Sequence, residues 1–223
     1  MTTIPDLIDL LAASLKPVRR LRPPLERAAT WLALAAVIVA LLAIAQGPRP
    51  DIATVLRQSG FLVSLSGAAL TGVLATIAAF MLSLPDRSRL WILLPAPPLV
   101  LWLSGIGYQC LTDWVSVQPG AVTLGETVRC FATLVLTSLP LSLALLLMLR
   151  YAAALRPTSV VFAGSLAVAA ITALALSLFH DADATIMILM WNIGTAGLFV
   201  ALGRIFGKTM FSWVAPRPDL HLA

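Results

Sequence analysis

Residues 28–45 read Ala-Ala-Thr-Trp-Leu-Ala-Leu-Ala-Ala-Val-Ile-Val-Ala-Leu-Leu-Ala-Ile-Ala. These eighteen residues carry no charge, and their only polar side-chain atoms are one hydroxyl and one indole N–H. Wound as an α-helix they extend about 27 Å, close to the ~30 Å hydrocarbon thickness of a bilayer. Polar and apolar residues do not alternate, so the stretch is not the strand of a transmembrane barrel. Ala43-Ile44-Ala45 resembles a signal-peptidase site. However, the apolar run is of full spanning length and some 27 residues precede it, so it reads as an uncleaved first helix.

The pattern recurs at 61–84, 90–108, 131–149, 160–178 and 185–205, each with few or no charges. The chain of 223 residues is 60% hydrophobic and 11% charged. A soluble domain of this size still exposes much of its surface and could not hide so many apolar groups. The same composition excludes intrinsic disorder, and two cysteines exclude a disulfide-dense scaffold. The sequence therefore predicts an all-α integral membrane protein. It has six transmembrane helices preceded by a short amphipathic cytoplasmic helix. The predicted parts are an N-terminal arm over 1–27, a membrane domain over 28–206 and a tail over 207–223.

Charge sets the orientation. Twelve of the 15 Lys and Arg residues fall on the two termini and the even-numbered links, which share one side of the membrane. With the acids included, that side carries +7 and the other −2. The positive-inside rule assigns both termini to the cytoplasm, and the net charge of +5 reads as topology rather than as a nucleic-acid patch. Prolines interrupt the spans at Pro95, Pro97, Pro98 and Pro140, where neighbouring helices must satisfy the freed carbonyls. No internal repeat is present, so the inverted-repeat pattern of many transporters is missing.

The arm has its own pattern. Ile4, Leu7, Ile8, Leu11, Leu15 and Val18 recur at helical spacing and form one apolar stripe. Thr3 fits an N-cap, with Pro5 in the first turn and Asp6 and Asp9 near the positive end of the dipole. Pro17 weakens the helix, and Pro23-Pro24 stops its continuation into the first span. So short a helix is marginal in water and needs a surface to cover its stripe. Two surfaces fit: the membrane interface, with the topological bases Lys16, Arg19, Arg20, Arg22 and Arg27 on anionic headgroups, or a groove on a partner protein.

On the outer side, Cys110 closes the predicted third span and Cys130 opens the fourth. Val115, Val117, Val122 and Leu124 flank a Gln118-Pro119-Gly120 turn, which suggests a small hairpin or interfacial cap. The cysteines fit a structural disulfide, a reversible redox pair or soft-metal thiolate site, or plain packing. A disulfide closing this loop would add about 3 kcal/mol on the chain-entropy argument. No C-x-x-C is present, which leaves a thioredoxin-like pair unsupported. The last outward turn carries His180 and Asp183, a cation- or pH-responsive pair or simply the cap of the final helix with Thr185. Met187, Met190, Trp191 and Asn192 follow within that helix.

Several motifs taken in order resemble the six-transmembrane bacterial anti-sigma factors of the NrsF type. They are Pro5-Asp6-Leu7-Ile8, Pro17-Val18-Arg19-Arg20-Leu21-Arg22-Pro23-Pro24, Leu84-Pro85-Asp86-Arg87-Ser88, Gly107-Tyr108-Gln109-Cys110-Leu111, Thr137-Ser138-Leu139-Pro140-Leu141, His180 through Thr185, and Trp191. The resemblance covers nearly the whole chain. It implies a protein of the bacterial inner membrane that binds an extracytoplasmic-function (ECF) sigma factor on the cytoplasmic side and does not itself bind nucleic acid. It further implies that Cys110 and Cys130 sense metal or oxidative stress, with a soft metal ion as the sole candidate ligand and no resident cofactor. His180 and Asp183 would assist. The sigma-binding arm would comprise Leu7, Ile8, Leu11, Leu15, Val18, Arg19 and Arg20. Two positions depart from the family pattern: Asp181 replaces an expected proline and Asn192 an expected histidine.

Two other classes are less well supported. One is a small transporter or channel, and coupled transport, unlike a passive pore, needs ionisable groups along its path. The six predicted spans contain only Arg204, at an inner end. A thiol-redox membrane enzyme lacks both C-x-x-C and a cluster of His and Glu. The expectation is a regulator that is not an enzyme.

Overall fold

A computed structural model describes residues 22–113, 124–149 and 157–179, with Ile4, Asp6, Ala12 and Ala13 besides; side chains are placed over 22–105, 131–149 and 158–179. The described residues are helical and contain no strand. Helix α1 runs Pro24–Gln46 and a single turn, α2, Ile52–Val55. Helix α3 runs Ser59–Leu82 and is followed by a 3-10 helix at Arg89–Leu93. Then come α4 (Ala96–Asp113), α5 (Leu124–Leu149) and α6 (Pro157–Phe179). Four of these, α1, α3, α5 and α6, are long and apolar enough to cross a membrane. The predicted sixth span and the tail lie outside the described residues, as do the candidate residues of the arm.

The predicted boundaries shift in ways the local chemistry explains. Pro24 occupies the first turn of α1, where its missing N–H would be unpaired in any case. Residues 24–27, assigned to the arm from sequence, are therefore the first residues of helix α1. Gly47 ends that helix at φ 75°, a conformation glycine adopts without strain, and its N–H donates to the Ala43 carbonyl at 3.0 Å.

The predicted third span is the one that breaks. Its first residues form the 3-10 helix, which starts where the Ser88 hydroxyl accepts from the Leu90 N–H at 3.2 Å. Pro97 and Pro98 then fall in the first turn of α4 and leave no helical hydrogen bond unmade. Pro140 does lie inside α5. At the end predicted to face outward, α4 and α5 run past the predicted ends. Leu124 is the first residue of α5 rather than part of a hairpin, and the link shortens to residues 114–123.

Helix α3 is the centre of the packing, against α6, α4 and α1. It gets there by being small. A Cβ on Gly67 would lie 2.8 Å from the Trp102 backbone nitrogen of α4, and one on Gly72 would lie 2.8 Å from Ile171 Cδ1 of α6. Backbones in lipid approach closely where side chains are minimal. The buried hydroxyls add no polar cost, because Thr71 and Thr76 donate at 2.7 Å to the carbonyls of Gly67 and Gly72. The larger of two apolar clusters joins Trp31 of α1, Phe80 and Leu82 of α3, Leu141 and Leu145 of α5, and Val160 of α6. The smaller joins Ala68, Trp102, Leu134 and Leu176 from α3, α4, α5 and α6.

Candidate functional site

The topology places both predicted sensory residues at one end of the bundle. Cys110 is the fourth residue from the C-terminus of α4, and Cys130 is the seventh residue of α5. His180 and Asp183 lie outside the described residues, just beyond the end of α6 at Phe179. Leu7, Ile8, Leu11, Leu15, Val18, Arg19 and Arg20 also lie outside them. Among the described residues, no group of three or more His, Cys, Asp or Glu comes together in a metal-binding arrangement.

At the same end of the bundle, which the charge pattern predicts to be the outer one, the link after α1 is pinned to α6. The Arg49 N–H donates to the Leu178 carbonyl at 3.1 Å, one of the last acceptors of α6. The Arg49 side chain forms a two-pronged pair with Asp51 at 2.6 and 2.7 Å and lies 6.0 Å from the Phe61 ring centroid. This places the link beside the C-terminal end of α6.

The feature the sequence did not reveal is a set of three side-chain links between α1 and α5. At the outer end, Thr133 Oγ1 donates to Gln46 Oε1 at 2.9 Å. In the middle, Trp31 Nε1 donates to the Leu141 carbonyl at 3.1 Å. At the inner end, Arg27 Nη2 donates to the Met148 carbonyl. The two helices run antiparallel, so the three links are successive rungs along the length of both.

Arg27 is only 6% exposed, and its guanidinium carbon lies 5.0 Å from the Phe80 ring centroid. A cation there meets the negative ends of α3 and α5, which both terminate nearby. Its Nη1 is buried without a hydrogen-bond partner among the described residues. The sequence reading counted Arg27 among the topological bases. The available signal was its position four residues before Trp31, which puts both on one face of a helix.

Two motifs quoted above fit into this geometry. Thr137–Leu141 contributes the acceptor of the middle rung, and Thr137 Oγ1 donates to the Thr133 carbonyl at 2.7 Å. Leu84–Ser88 forms the inner turn, where Arg87 pairs with Asp86 at 3.7 Å and Ser88 caps the 3-10 helix.

A family model described as "NrsF: Negative regulator of sigma F" matches residues 11–213. No curated protein and no solved structure gives a match.

Proposed function

The chain belongs to the NrsF family, negative regulators of sigma F, and from that premise we propose that it is a membrane-bound anti-sigma factor. It holds an ECF sigma factor at the bacterial inner membrane through residues 1–23. It releases the factor when metal or oxidant acts on Cys110 and Cys130. The observation that carries the reading is the family match over most of a chain that has four spanning helices. With α4 and the predicted helix at 185–205 the spans number six, and both termini lie in the cytoplasm, where a sigma factor is.

The arm fits its task physically. A short helix with one apolar stripe does not hold its shape alone. It orders when the stripe enters a groove, and a sigma factor so covered cannot engage RNA polymerase. The protein is a binding regulator, not an enzyme. At the outer face, oxidation joins the two thiols by an S–S bond, and the oxidant takes two electrons and two protons. A soft divalent cation would instead take both thiolates and displace their protons. A shift of occupancy from 99% to 50% needs about 2.7 kcal/mol, within reach of either event.

The test uses inner-membrane vesicles holding the full chain and the sigma factor encoded beside it. Wild type retains the factor on sedimentation. Leu7→Asp with Leu11→Asp releases it while the membrane protein stays at its normal level. Retention by that variant would remove the arm from the interface. A periplasm-dependent phosphatase fused at residue 118 is active, and one fused after residue 223 is silent; the reverse would overturn the topology.

A further inference from the structure

We infer that Arg27 is a positioning residue. Through it and the rungs behind it, the state of α5 near Cys130 sets the placement of the N-terminal arm. This rests on the proposed function, and it adds the path between the outer face and the arm.

The path is continuous. Cys130 lies three residues before Thr133, less than one helical turn from the outermost rung. The same helix reaches the inner end at Met148, where Arg27 grips its carbonyl. Arg27 is the fourth residue of α1, and the arm ends directly before it. Pro23 and Pro24 join them with little freedom, since each ring fixes φ and Pro24 restricts the residue before it. A slide or rotation at the start of α1 therefore re-aims the arm instead of being absorbed by a flexible link.

The rungs are also of a kind that can be re-formed. Two of the three acceptors are main-chain carbonyls, which recur every 1.5 Å along a helix. A guanidinium presents five donors in a fixed fork. Here Nη2 is used while Nη1 lies buried and unpartnered, so a donor is in place to take another carbonyl when α5 shifts. Two arrangements of comparable energy on one contact are what a relay requires. The central α3 offers no such choice, because Trp102 fits against it only where Gly67 lacks a Cβ, and a slide would set Trp102 against a neighbouring side chain.

The experiment uses the full chain in inner-membrane vesicles loaded with the sigma factor and treated with diamide or cadmium chloride. Wild type releases the factor. Arg27→Met lacks the donor but inserts as an apolar residue. It keeps its membrane level, its thermal midpoint falls by no more than that of Trp31→Phe, and its release falls by about fivefold or more. Arg27→Lys, which can still donate to Met148, restores release; a merely structural role would alter protein level and leave the response intact. Thr133→Val, near-isosteric and at the far end of the same contact, lowers release as well and keeps the test open if Arg27→Met does not accumulate. Release equal to wild type in Arg27→Met, or in Thr133→Val if that is the variant in hand, overturns the relay while the cysteine reading stands. A wild type that keeps its sigma factor under both reagents overturns the cysteine reading and the relay together.

Discussion

Helices α1 and α3 are both spanning helices of nearly equal length, yet they are held by opposite means. In the spanning window of α3, 61% of residues are buried, but in that of α1 only 17%. Helix α1 presents Leu34, Val37, Leu41 and Ile44 to the outside and buries a stripe of Arg27, Ala28, Trp31 and Ala35. Helix α3 buries glycines, alanines and threonines. In water the greasier helix would go to the centre. In lipid the tails are as apolar as leucine, so burial follows from shape and from polar groups that need partners. Helix α3 is fixed by fit, and α1 by three hydrogen bonds.

The largest expected effect tests the fit. Gly67→Val pushes a side chain into the Trp102 backbone, which cannot turn aside, and costs about 3 kcal/mol. The measurement is the midpoint of thermal aggregation in mild detergent; an unchanged midpoint would mean that α4 is not held against α3 at that point. Gly72→Ala meets the Ile171 side chain at Cδ1 and Cγ1, which can change rotamer, and costs about 1 kcal/mol in the same assay.

The polar rungs should be weaker one by one. Trp31→Phe removes the donor to Leu141 and lowers stability by about 1 kcal/mol. Thr133→Val removes the Gln46 link for about 0.6 kcal/mol. A cost for either one as large as that of Gly67→Val would erase the contrast between the helices. The smallest effect is expected at Ile44, which is 82% exposed. Ile44→Ala should change the midpoint by no more than about 0.5 kcal/mol. A larger loss would place a protein surface, and not lipid, against that side of α1.

The four spans that α1, α3, α5 and α6 match were legible in the sequence because crossing a bilayer demands length without charge, and both are counted directly. The third is not one unbroken helix, because the count ignored where its prolines fall: Ser88 starts a 3-10 turn, and Pro97 and Pro98 start a new helix. The cysteines were legible only as lying near helix ends. Helices α4 and α5 overrun them, because polar residues such as Asp113 and Glu126 extend a helix into the interface as readily as they end one. Lateral packing was not legible. Gly67 and Gly72 are ordinary in a hydropathy count and decisive in a contact. Arg27 was misread because a basic residue beside a span normally stays in water, and this one turns inward to a carbonyl and an aromatic ring.

The rungs that hold α1 join residues 87, 110 and 121 positions apart in the chain. During synthesis at about 5–20 residues per second, α5 leaves the ribosome on the order of 5–20 s after α1. Through that interval the donors of Arg27 and Trp31 have no acceptor from the finished fold. Helix α3 meets its α4 partner only some 35 residues after Gly67. An early-made helix is thus fastened late, and a nascent chain arrested before residue 141 would leave α1 in the bilayer without its middle and inner rungs.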